Sequence, residues 1–369
     1  MAGAHDAAPD GVENYRERAE RFDIIVRYRI LFRDHGGFMI RNRSRVAIVF
    51  CYLAFAGGPA RMAEAKSYVA YISDSPASAS PYWVAQDAGI LKKHGLDVDL
   101  IFINGSTRGI QSLIAGDVSF SSGVGTAVIN GKLAGGDIAI ISSLFNTLPY
   151  FVFGKPEIKS PEDLKGRSAA MHIPGTAADF ALRLALKGIG LSLKDIKGVT
   201  VGAAPARVAA VASGQLDFTV GTEGEKIRGE TLGLKVVIDM AKLNIPFQFI
   251  CTVATRRMIR ENPDLVRRMV RAMAEAVHYY KNHKDSVVKI MQKYSRGPNR
   301  TFFEEVYDSS RELLVEDTYP TLEGLKNTLE VQATLDPKAA KAKAEDFVDL
   351  RFVDELKKSG FIEKLYGKR

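Results

Sequence analysis

The sequence predicts an α/β protein built on mostly parallel sheets. Short apolar or β-branched strands alternate with helical segments between residues 68 and 254. The strand-to-helix junctions are small and polar, as at Asn104-Gly105-Ser106-Thr107 and Ser121-Ser122-Gly123-Val124-Gly125-Thr126. A helix–Gly–Asp–strand cadence occurs once in each half, at Gly116-Asp117-Val118-Ser119-Phe120 and at Gly214-Gln215-Leu216-Asp217-Phe218. In an open α/β sheet, junctions of this kind line the ligand crevice at the carboxyl ends of the strands. Helix N-termini there offer free N–H groups and a partial positive charge, which suits an anion.

In chain order, Tyr68–Ile72 reads as a strand, 73–80 as a loop, and Pro81 as the first turn of a helix with Val84, Ala88 and Leu91 on one face. Leu96–Ile103 reads as a buried strand. The next helix carries Ile110, Leu113 and Ile114 and ends at Gly116. Val118–Phe120 and Asp137–Leu144 are strands around a helix over Val128–Ala134. Tyr150–Phe153 opens a second series: a capped turn at Ser160-Pro161, strands at Ser168–Met171, Val199–Val201, Leu216–Val220 and Leu234–Met240, and helices through Phe180 and from Arg207 to Ser213. Phe247–Ala254 is one more apolar strand. Beyond it the chain is helical, first from Asn262-Pro263 with Leu265, Met269, Met273, Val277 and Tyr280 on the apolar face, then at about 284–294, 301–314, 321–335 and 346–358. Lys338–Lys343 reads as a solvated helix or linker.

With 369 residues, two domains are expected. Apolar residues at 46% and charged residues at 25% are those of a soluble globular chain. The net charge of +8 favours solubility and an anionic ligand. No Lys/Arg stripe with interleaved aromatics occurs, so no nucleic acid is expected as a partner. The N-terminal 65 residues hold ten Arg, no Lys and eight acidic residues. Within them, Arg41, Arg43 and Arg45 precede the apolar run Val46–Ala56, Pro59 breaks it, and Ala63-Glu64-Ala65 follows. That is the order of a cleavable export signal over 39–65, with 1–38 as a mis-assigned start or extended leader and Lys66 as the first mature residue. Cys51 falls in the removed segment. Cys251 sits in an apolar run and reads as a buried, inert thiol.

A set of motifs then carries a resemblance. P-x-W-V-A-Q-D-A-G-I-L-K-K-H-G-L-D-V starts at Pro81, N-G-S at Asn104 and Q-S-L-I-A-G-D-V-S-F at Gln111. S-P-E-D-L-K-G-R follows from Ser160, P-G-T from Pro174 and A-S-G-Q-L-D-F from Ala212. In this order, over residues 66–360, the chain resembles the periplasmic solute-binding proteins of ABC importers, in the nitrate/sulfonate/taurine branch that also reaches the thiamine-pyrimidine synthases. The resemblance implies a type II periplasmic-binding-protein fold, with two lobes joined by two chain crossings and closing on a ligand. The crossings are expected at Tyr150–Lys155 and Phe247–Ala254, giving lobe 1 as 66–152 plus 253–369 and lobe 2 as 153–252. It implies a periplasmic monomer with no cofactor, a small-molecule ligand, and an ABC permease of the inner membrane as partner.

A ligand in such a cleft would meet Asp74, Ser75, Ser80, Asn104, Ser106, Thr107, Arg108, Ser122, Gly123 and Thr126 from lobe 1. From lobe 2 it would meet Gly175, Thr176 and Glu223. The hydroxyl and backbone groups would donate to an oxyanion. Arg108 would clamp a carboxylate or sulfonate side-on, or else point to solvent. Tyr150 and Phe247 would wall the site or pack in the hinge. Glu223 would take a ligand amine or amidine, or stand as a rim charge, and His172 reads as structural. The competing function is an enzyme like the thiamine-pyrimidine synthases, or binding of a pyrimidine precursor. The cysteine-rich motif of those enzymes has no counterpart here, and H-x-x-x-H, C-x-x-C and G-x-x-x-x-G-K-[ST] are all absent. The expectation is a binding protein, not an enzyme, with no metal.

Overall fold

In the computed structural model the described residues are 67–72, 75–334 and 336–367, within one compact unit, Glu64–Arg369. The expected leader, the export signal and Asp74 lie outside the described residues.

Among the described residues, ten strands form two sheets. They are β1 (Ser67–Tyr71), β2 (Val98–Phe102), β3 (Phe120–Val124), β4 (Ile138–Ser143), β5 (Phe151–Gly154), β6 (Ser168–Met171), β7 (Lys197–Thr200), β8 (Phe218–Gly221), β9 (Lys235–Asp239) and β10 (Ile250–Thr255). The first sheet runs β2-β1-β3-β10-β4 and the second β7-β6-β8-β5-β9. In each sheet a single strand runs against its neighbours: β10 is antiparallel to β3 and β4, and β5 to β8 and β9. Each of these is the strand laid down just after the chain arrives from the other sheet. The mixed α/β fold predicted from the alternating pattern is present, with both sheets mostly parallel.

The passages between sheets lie earlier than the sequence suggested. Phe151–Gly154 belongs wholly to the second sheet and Ile250–Thr255 wholly to the first, so the crossings are residues 144–150 and 244–249. Apolar character alone did not distinguish a crossing from the strand it feeds. The two crossings pair with each other. Phe247 donates its N–H to the Asn146 carbonyl at 2.9 Å, Phe249 donates to Phe145 at 3.0 Å, and Thr147 bridges Pro246. Phe249 packs edge-on against both Phe145 and Tyr150. A third segment braces the first crossing, because Val315 donates to the Leu144 carbonyl and Phe145 bridges Leu314.

The first helix also begins earlier than predicted. It runs Pro76–Asp87, with Pro76 in its first turn and Pro81 inside it. Pro81 forfeits the bond to the Ala77 carbonyl and is tolerated because every residue from Pro76 to Ala85 is buried. Tertiary burial here overrides the local stop signal. Trp83, fully buried, stacks on Tyr294 at 5.3 Å and meets the Tyr71 ring edge-on at 5.9 Å. The long helix Pro263–Asn282 buries Leu265, Met269, Met273, Val277 and Tyr280, the stripe read from the sequence. The 338–343 segment is only partly solvated, since Ala339 is 2% exposed.

Candidate ligand-binding cleft

The carboxyl ends of both sheets adjoin the crossings. β4 ends at Ser143 where the first crossing leaves, and Phe151 enters the second sheet opposite Gly221, the last residue of β8. The two sets of strand ends therefore meet at the hinge, and the junction loops of both halves converge there.

On the first sheet, three helices start at these ends: Pro76–Asp87 after β1, Ser106–Ala115 after β2 and Gly125–Leu133 after β3. None has its first turn capped by a side chain. Elsewhere capping varies: Arg300–Arg311 and Leu322–Gln332 are capped by Asn299 and Thr321, whereas Pro263–Asn282 and Lys284–Tyr294 have no side-chain cap. The junctions at the cleft are tied to one another. Ser106 Oγ accepts the Val124 N–H at 2.8 Å, and Ser122 Oγ accepts the Ile72 N–H at 3.1 Å. Gly123 offers its carbonyl to the Cys251 Sγ at 3.2 Å. Burial raises the pKa of that thiol well above its ordinary value, which leaves it protonated and inert.

Gly125 donates its N–H to the Gln248 carbonyl of the second crossing at 2.9 Å. A Cβ at Gly125 would lie 2.8 Å from that same oxygen. Gly125→Val is therefore expected to push the crossing off the helix start and to cost about 1–3 kcal/mol, read from urea unfolding.

The second sheet contributes a different chemistry. Thr176 Oγ1 donates to the Ile173 carbonyl at 2.8 Å, stands 3.0 Å from His172 Nδ1 and accepts the Asp179 N–H. Gly175 donates its N–H to Asp179 Oδ2 at 2.9 Å, and Arg183 Nε also reaches that oxygen. Glu225 folds back onto Thr222, taking its N–H at 2.5 Å and its hydroxyl at 2.7 Å. Among these groups lies Arg207, only 3% exposed, in the first turn of the helix Ala204–Ala212. Its Nη1 donates to the Gly202 carbonyl at 2.5 Å and its Nη2 to the Val220 carbonyl at 3.1 Å. Its Nε makes no hydrogen bond. Its charge bears on Tyr150 and on His172. Burial, and then the Arg207 charge, holds the His172 pKa below its ordinary value.

The structure brings Ser106, Ser122, Gly123 and Thr126 together on the first sheet and Gly175 and Thr176 on the second, with Tyr150 in the first crossing. Ser75 is the N-cap of the first helix. Asn104, Thr107 and Arg108 are exposed at the start of the second of these helices. Three expected site residues are placed otherwise. Ser80 is fully buried inside the first helix, because that helix starts before it. Phe247 is fully buried against Phe180, at 6.4 Å between ring centres, so it packs the hinge and walls nothing. Glu223 is 7% exposed and paired with Lys226 at 2.7 Å, which commits the carboxylate expected for a ligand amine. From the sequence, Arg207 stands out only as the start of a helix. The signal was available: a lone cation in the run Ala203-Ala204-Pro205-Ala206-Arg207-Val208-Ala209-Ala210, at a helix start, where the dipole disfavours it.

A cavity of about 420 Å³ lies at the other end of the first sheet, bordered by Leu113, Gly116, Val118 and Asp137. It is remote from these groups.

Residues 77–287 match the model of the family described as NMT1/THI5 like. The chain belongs to the NMT1/THI5-like family. A protein of Brucella abortus (strain 2308) provisionally named a binding protein is 30% identical over 241 residues, 61% of this chain and 70% of that one. The riboflavin-binding protein RibY of Chloroflexus aurantiacus is 27% identical over 52% of this chain and 56% of its own length. Among solved structures, the periplasmic aliphatic sulphonate binding protein SsuA of Escherichia coli superposes with a TM-score of 0.66 at 18% identity, covering 78% of this chain and 92% of that one. At that identity the likeness shows a shared fold, that of the periplasmic binding proteins. For the NMT1/THI5-like chain described here, the two sheets with one reversed strand each are that fold.

Proposed function

We propose that this chain is the solute-binding component of an ABC importer. It captures a small organic anion, of sulfonate or carboxylate type, between two lobes and delivers it to a membrane permease. The lobes are taken as the two sheets with their helices, divided at the crossings. The observation that carries this reading is the convergence of uncapped helix starts from the first sheet and a buried guanidinium from the second, on either side of a paired two-strand hinge. Binding is favoured over catalysis because the one described cysteine is buried and protonated, and His172 and Glu225 are each held by a neighbouring threonine.

The test is a thermal-shift screen of the full chain against alkyl and aryl sulfonates, carboxylates, pyrimidines and riboflavin. A ligand that binds only the folded state raises the melting temperature by mass action. A shift with an anion class supports the proposal. A shift confined to pyrimidines moves the function to precursor binding, and turnover of a ligand on incubation overturns the binding reading. Export is part of the proposal. In a Gram-negative host the mature protein is expected in the periplasmic fraction with Lys66 at its N-terminus by Edman sequencing. A cytoplasmic protein retaining Met39 would refute it.

A further inference from the structure

We propose that Arg207 is the counter-ion of the solute, so that the anionic group is held by the second sheet, against Arg207 and the Tyr150 hydroxyl, while the first sheet serves the rest of the ligand. This rests on the solute-binding reading above and names which half of the cleft takes the charge.

A buried guanidinium needs a counter-charge or a full set of acceptors. Arg207 has neither. Both of its bonds go to neutral backbone carbonyls, of Gly202 and Val220. Of the five N–H donors of an arginine these use two, and the Nε–H is unpartnered. The side of the fork carrying Nε–H and the second Nη2 hydrogen matches two oxygens of a carboxylate or sulfonate. The neighbouring carboxylates make no hydrogen bond to Arg207, although the Glu225 charge acts on it and Asp179 Oδ1 is itself unpartnered. Glu225 is bonded to Thr222, and Asp179 to Gly175 and Arg183. The helix adds to the demand. Arg207 stands in the first turn of Ala204–Ala212, which no side chain caps, so the positive end of the helix and the guanidinium face the same unfilled need.

Tyr150 supplies a neutral donor. It is 8% exposed, it lies in the first crossing, and its ring is fixed edge-on by Phe249 at 5.8 Å. Burial first, and then the Glu225 charge, raises its pKa, so the hydroxyl keeps its proton and can give it to an oxyanion. Because Tyr150 is on the crossing, an anion held there touches the hinge itself. Arg108, the clamp suggested by the sequence, is exposed on the opposite half and is left to the rim.

The experiment titrates the full chain calorimetrically with ethanesulfonate, benzenesulfonate, butyrate and benzoate, each beside its uncharged sulfonamide or amide. We expect at least one anion to bind at least tenfold more tightly than its uncharged partner. Arg207→Gln should weaken that anion by roughly 10- to 100-fold. Tyr150→Phe should weaken it by about threefold or more, and Arg108→Gln by less. Arg207→Lys keeps the charge without the fork and should fall between wild type and Arg207→Gln. In arginine-labelled wild-type protein, the Nε–H resonance missing from Arg207→Lys should shift on adding the anion, a readout independent of whether Arg207→Gln folds. An anion bound equally by Arg207→Gln, or no shift of that resonance, overturns the inference and leaves solute binding standing. Equal binding of the uncharged partners does the same. Binding of no probe in either form overturns the inference and the anion reading together.

Discussion

Phe247→Ala is expected to destabilise the protein by about 3–5 kcal/mol while leaving the ligand affinity of the folded fraction within about threefold of wild type. Phe247 is fully buried, its ring lies beside Phe180 of the second sheet's helix, and its N–H is bonded to Asn146 of the other crossing. The helix Leu322–Gln332 closes over it, since a Cβ on Gly324 would come within 2.7 Å of the Phe247 carbonyl carbon. With the ring fully buried beside Phe180 and the Phe247 backbone pinned by the other crossing and by the helix Leu322–Gln332, the site has little room to collapse, so the cost should lie toward the upper end of that range. Urea unfolding measures the stability loss, and titration corrected for the folded fraction measures affinity. If affinity falls by more than tenfold in the folded fraction, the ring contributes to the ligand site and not only to the hinge.

The sequence made the layers of this fold legible because strand and helix periods are local signals. The stripe on Pro263–Asn282 follows from spacing alone, but β3 runs on to Val124 where the sequence suggests a loop from Ser121, because Ser121–Val124 pair with β10. The order of the strands in each sheet does not follow from spacing, nor does the place where the chain crosses. Tyr150 and Phe151 look alike in sequence, yet one is in the crossing and the other is in β5. The burial of Ser80 escapes the sequence for a related reason. A proline five residues into a helix is a stop signal by itself, and only the burial of the whole segment shows why it is tolerated.

The candidate site was half legible. Loops rich in Ser, Thr and Gly announce helix starts, and Ser106 does open a helix, whereas Ser122 lies within β3. Charged groups were harder, because partnership decides their role and partners are distant in sequence. Glu223 is paired with Lys226, only three residues away, whereas Arg207 hydrogen-bonds the Gly202 and Val220 carbonyls and no carboxylate. The repeated Gly–Asp cadence shows the same limit. Asp117 is exposed, while its counterpart Asp217 joins three strands.

That difference gives the second large effect: Asp217→Asn is expected to cost about 2 kcal/mol at neutral pH, and the cost should fade in acid. Asp217 Oδ2 accepts the Ser168 N–H at 2.8 Å and the Ser168 hydroxyl at 2.7 Å, and Oδ1 takes Lys155 Nζ at 2.9 Å. One carboxylate thus joins β8 to the start of β6 and to the residue after β5. Burial pushes its pKa up, but the two bonds from Ser168 and the Lys155 charge outweigh burial and bring it down to about 2. The side chain is 20% exposed, so solvent screens the interaction only in part. A carboxylate whose folded pKa lies below its unfolded value stabilises the fold above the unfolded pKa, and the contribution disappears as pH falls through the folded one. The gap between wild type and Asp217→Asn should therefore be full above about pH 5, roughly half by pH 3, and nearly gone near pH 1. Urea unfolding of both proteins from pH 7 to pH 3 measures it, because the other carboxylates titrate alike in the two chains and cancel. A gap that stays constant down to pH 3 would mean that asparagine fails through geometry, by turning an amide donor toward Ser168 or Lys155, and that the charge of Asp217 contributes little.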